Sequence, residues 1–137
     1  VPVKKMIETE FEYLNKLLAI LDSCKADMIV NLSSTWNEED YDGTKNVKAL
    51  KIQPYLDSKR NLIINRSQKE EVIGILAHYF TDADYYHYKI ISENKLIGIG
   101  YDSCNINFLH PEYFTLNEDH FKILDDSEVV FRDHIKE

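Results

Sequence analysis

Ile7, Phe11, Leu14, Leu18 and Leu21 recur at alternating intervals of four and three, and Met6 and Leu17 widen the same stripe. That period puts apolar side chains on one face of an α-helix. It predicts an amphipathic helix from near residue 3 to residue 24. Glu12 stands four residues before Lys16, the favourable order for an exposed ion pair. Lys4 and Lys5 oppose the helix dipole, so the first turn is expected to fray.

The pattern then changes. "DMIVNLSS" (27–34) is a short apolar, β-branched run bounded by polar residues, and reads as a buried strand. After the polar loop "STWNEEDYDGTKN", Leu50 and Ile52 alternate with Lys51 and Gln53, which predicts a strand ended by Pro54. "DSKRN" reads as a turn and "LIINR" (62–66) as the second strand of a hairpin. "SQKEEVIGILAHYF" is the second helix, with Ser67 and Glu70 spaced as a capping box and Val72, Ile75, Leu76 and Tyr79 as its apolar face. "YYHYKIIS", "LIGIGYD" and "NINFLH" form a three-stranded meander with one buried face. "NEDHFKIL" is a short helix capped by Asn117, and "EVVFRDHI" is a last strand. The order predicts an α+β fold in one domain spanning 1–137. Its antiparallel sheet has about five to six strands and is packed on one side by two main helices.

With 137 residues, 44% of them apolar and 29% charged, the chain can bury a core without disulfides. Cys24 and Cys104 are read as buried free thiols in a reducing compartment. No apolar run approaches a membrane span, and Glu8, Glu10 and Glu12 interrupt any secretion signal. The expectation is a cytoplasmic protein without a membrane partner.

Charge alters the picture more. Residues 1–66 carry ten Lys/Arg and ten Asp/Glu, whereas residues 67–137 carry six against fourteen, so the whole net charge of −8 lies in the second half. Such a field repels nucleic acid, which proteins hold through Lys and Arg. It attracts a basic protein and speeds the encounter.

No motif for chemistry stands out. Glu38, Asp40 and Asp42 fit the first positions of a calcium loop ending its turn on Gly43, but Ala49 falls where the bidentate Glu is needed. The histidines lack zinc-protease spacing, and there is no Cys-x-x-Cys, nucleophile elbow or phosphate loop. No metal or cofactor is expected. In "HYFTDADYYHYKI" (78–90), Tyr86, Tyr88 and Ile90 share one strand face, and Tyr85, His87 and Lys89 share the other. Tyr is a large, rigid contact residue and Asp selects a basic counterpart.

The leading expectation is therefore a small acidic binding protein. It would inhibit a basic partner such as a nuclease toxin, as an immunity or antitoxin-type protein does. Its contacts would be Trp36, Glu38, Glu39, Asp40 and Tyr41 on the loop, with Asp82, Asp84 and Tyr85 at the turn. The alternative is a small enzyme or ligand-binding domain using Asp84, His87 and His110 for acid–base work beside a sheet face bared by Gly98 and Gly100. A third reading is an assembly subunit whose first helix pairs with a second chain.

Overall fold

Glycine 100 shows how tightly the sheet is filled: a Cβ added there would lie 1.9 Å from the ring of Tyr88. A computed structural model describes residues 6–32, 47–85 and 87–137. Its helices are α1 (Glu12–Ser23), α2 (Val47–Ile52), α3 (Lys69–Tyr79) and α4 (Glu118–Ile123). Its strands are β1 (Met28–Leu32), β2 (Leu62–Ile64), β3 (Tyr88–Ser92), β4 (Lys95–Tyr101), β5 (Ile106–Leu109) and β6 (Glu128–Phe131). The fold is α+β, with a six-stranded sheet in the order β2-β1-β3-β4-β5-β6.

The meander of β3, β4 and β5 forms as predicted, but β4 is buried on both faces from Ile97 to Gly100, where one buried face was expected. Glu93 and Asn94 both take positive φ (52° and 63°), so a two-residue turn joins β3 to β4. Met28, Val30, Leu62, Ile64, Tyr88, Ile90 and Leu109 enter one hydrophobic cluster with Leu14, Leu17, Leu18, Leu21, Val72 and Leu76 of the helices. Helix contacts run in the series α4–α1–α3–α2. Four helices occur, two of them only six residues long, where the sequence predicted two main helices and one short one.

Several local expectations are corrected. The strand expected around Leu50 and Ile52 is helix α2, followed by a 3-10 turn at Gln53–Tyr55. Six residues are too few to separate a period of two from 3.6, and Ala, Leu and Lys are good helix formers. Ala49 and Ile52, three apart, are the buried pair. β2 consequently pairs with β1, with Ile29 opposite Ile63. The first helix begins at Glu12, and Ile7 packs against Gly74 of α3 from a non-helical segment. The capping box of Ser67 and Glu70 does not form; a 3-10 turn (Arg66–Gln68) leads into α3, and its cap residue Gln68 makes no side-chain cap bond.

The sheet is mixed, because β6 runs parallel to β5. A parallel neighbour needs a crossover, and residues 110–127, containing α4, supply it. Behind the sheet, Ile99 is 2% exposed yet lies outside the main cluster. Ile135, in the segment after β6, is also buried, and Glu137 reaches Lys89 of β3 at 2.9 Å. The C-terminal residues therefore fold back across this face.

Candidate functional site

The turn that follows α3 holds two of the acids expected at a docking surface, and both bind the chain itself. Asp82 Oδ1 accepts the Leu14 N–H at 2.7 Å. Phe11 is the N-cap of α1 and offers no side-chain acceptor, so Asp82 satisfies a first-turn donor from across the fold. Asp84 Oδ2 accepts the Thr81 N–H at 2.6 Å, and its other oxygen pairs with Lys48. Tyr85 is buried, against the expectation of an exposed ring. Its hydroxyl makes no well-formed hydrogen bond, and burial, then the neighbouring Cys104, push its pKa far up. β3 begins only at Tyr88, so Tyr85 lies before the strand and escapes the alternation used to place it. These positions remove the reason for placing the three residues on a partner-facing surface. The expected loop contacts Trp36, Glu38, Glu39, Asp40 and Tyr41 lie outside the described residues, as does Tyr86.

The acid–base trio is dispersed. His87 Nδ1 accepts the Asp102 N–H at 3.3 Å beside the end of β4. His110 is buried, its Nδ1 accepts the Glu112 N–H at 3.2 Å, and its backbone N–H donates to Ile97 O at 2.8 Å. Tyr101 and Ile97 are separated along β4 by about 13 Å at the usual strand rise. Asp84 is held by Lys48 and Thr81. The sheet face above the glycines is filled as well: Tyr88 covers Gly100, and Phe114 lies 3.2 Å from a Cβ built on Gly98. Tyr88 also donates to Asn107 Oδ1 at 2.8 Å, and Asn107 Nδ2 donates to the carbonyls of Cys104 and Glu128. This closed network satisfies its members and leaves no room for a substrate. Cys104 is buried, and burial raises its thiol pKa to about 12, the opposite of an activated nucleophile.

A His–Asp pair, with a buried imidazole and a partly exposed carboxylate, sits elsewhere. Asn117 Oδ1 accepts the His120 N–H at 2.9 Å, and His120 Nδ1 accepts the Asn117 N–H at 3.0 Å. A ring nitrogen that accepts is unprotonated, so the proton is on Nε2, which lies 2.7 Å from Asp22 Oδ2. The hydrogen bond to His120 holds Asp22 below its usual range, against a desolvation cost that pushes upward. Both ring nitrogens are occupied, so this pair anchors α4 to α1 and has no free base. The sequence concealed it, because the box has His where Glu or Gln usually stands. Lys16 was also misplaced. It is 1% exposed and bonds Asn105 Oδ1 at 3.1 Å and Asp126 Oδ1 at 2.8 Å, away from Glu12.

With His120 turned inward, α4 presents its other side. Phe121 is 50% exposed. Glu118 and Asp119 on the same short helix, and Asp125 just beyond it, are exposed and form no ion pair among the described residues. Glu8 and Asp119 flank a hollow of about 120 Å³ that also touches Met6 and Lys122. Phe121 thus lies on a helix fixed from behind, with Glu118 three residues before it and Asp125 four after it, the spacing of one helix face, and with Lys122 and Asp119 beside the hollow. Among the described residues, no group of three potential metal ligands occurs, and no helix is long and apolar enough to cross a membrane. Comparison with known proteins finds no matching family model, no matching curated sequence and no matching solved structure.

Proposed function

We propose that this chain is a protein-binding module that docks a basic partner, in the manner of an immunity or antitoxin-type inhibitor of a nuclease toxin. The observation that carries the reading is Phe121, half-exposed on α4, with the exposed Glu118, Asp119 and Asp125 nearby in sequence and forming no ion pair among the described residues. An exposed ring supplies area that a partner desolvates, and surrounding carboxylates select a cationic surface. The carboxylates would take the places of phosphates in a nuclease groove. The unpaired acids of α4 replace Asp82 and Asp84 as the proposed contacts, because the latter pair are engaged within the fold. The loop residues Trp36, Glu38, Glu39, Asp40 and Tyr41 belong to the same proposal.

Affinity capture with the full chain from native lysate at low salt tests it. A basic protein is expected on the wild type, released by added salt and lost with F121A and with E118Q/D119N/D125N. Capture of no basic protein, or capture indifferent to salt and to both variants, overturns it.

A further inference from the structure

β6 is the outer strand at its side of the sheet, and among the described residues no strand pairs with its far edge. Its inner edge is bonded: Glu128 N donates to Asn105 O at 2.8 Å, and Arg132 N donates to Leu109 O at 3.0 Å. In a parallel ladder, alternate residues direct their backbone groups to alternate sides. Val129 and Phe131 therefore turn both N–H and C=O outward. Among the described residues no backbone group bonds this outer edge and the β5–β6 register has no bulge, and the chain leaves the edge after Arg132 to cross the back of the sheet. Phe131 remains 44% exposed. Unprotected edges of this kind are templates for another strand.

The sequence along this edge, "EVVFR" (128–132), is charge-complementary to itself when reversed. Consider a two-fold axis perpendicular to the sheet at Val130. Val129 then exchanges both backbone bonds with Phe131 of the second copy, and Phe131 with its Val129. Val130 meets Val130. Glu128 stands opposite Arg132 on the same face, and the symmetry makes this pair twice. Opposite charges and aromatic–β-branched pairs are the cross-strand combinations that stabilise antiparallel strands. Moving the axis by one residue sets Glu128 against Val130 or His134 and loses both charge pairs. Glu128 is exposed and has no ion pair among the described residues. Arg132 stacks 4.9 Å from the Phe108 ring centroid on the back of the sheet, the side where Glu128 and Val130 also project.

We infer that two copies of this chain pair β6 to β6 in antiparallel register centred on Val130, joining their sheets into one continuous sheet. The interface is isologous and closes on itself, so it yields a dimer and no longer assembly. It is independent of the α4 docking face.

Sedimentation equilibrium on the full chain, over a range reaching high micromolar concentration, tests the inference. The wild type is expected to reach twice the 16.1 kDa chain mass. E128R sets Arg against Arg at two places and should weaken the dimer roughly tenfold or more. The double variant E128R/R132E restores unlike pairs and should restore the dimer. V130K, which brings two like charges to the axis, should give monomer. Circular dichroism matching the wild type confirms that each variant folds. A monomeric wild type over the whole range, a dimer unaffected by E128R and V130K, or a double variant that stays as weak as E128R overturns the proposal.

Discussion

Asp82 and Asp119 lie in the same acid-rich half of the chain, and their side chains do opposite things. Asp82 points inward and receives the Leu14 N–H of a helix remote in sequence. Asp119 sits in the first turn of its own helix, where the dipole favours it, and stays at the surface. A carboxylate near a helix start is stabilised in either place. What differs is whether the donor it meets belongs to its own segment or to another. Charge counted along the chain does not separate the two cases, and the docking surface proposed here moved from one to the other for that reason.

The largest effect should come from the residue that fixes the outward-facing helix from behind. H120A removes a part-buried bond to an ionised Asp22 and half of the α4 capping box, at a cost of about 2–3 kcal/mol in urea unfolding. A smaller loss would break the view that α4 is held through this ring. D82A leaves the Leu14 N–H without its acceptor and should cost about 1–2 kcal/mol, with partner capture retained. Loss of capture at unchanged stability would return Asp82 to the docking surface.

Acid titration sharpens the contrast further. The folded-state pKa of Asp22 is depressed by its bond to His120. Its contribution is therefore fully present above the unfolded value and is lost as pH falls through the lower folded value. Thermal melts of the wild type should fall more steeply below the ordinary value of 3.8 than those of D22N, which keeps an acceptor for Nε2 but not the charge. Equal slopes would count against the ion–dipole account. The smallest expected effect is on stability in E118Q/D119N. It should change unfolding by no more than about 0.5 kcal/mol, as exposed unpaired charges do.

The sequence allowed much of the framework to be read. All six strands fall on runs read as strands, although β3 starts only at Tyr88 and β6 ends at Phe131, and Asn117 caps α4. It failed where a short segment fitted two periods, as at Val47–Ile52, and where a contact crossed the fold. Lys16 looked like the partner of Glu12 because both lie on one helix; the packed structure gave it Asp126 and Asn105 instead. Phe121 had no sequence signal separating it from a core aromatic. Its exposure follows from His120 occupying the inward position of a helix only six residues long.

Composition and periodicity alone determined that this chain folds as α+β, that three of its strands form a meander, and that its negative charge gathers in the second half. Those properties are local or additive, so they survive without knowledge of neighbours. Tertiary structure decided which carboxylates turn inward, which ring stays wet, and that β6 runs parallel as the outer strand of the described sheet. Each of these depends on which groups from distant segments arrive at one place, because a donor, a cation or a covering side chain must be present before burial becomes favourable.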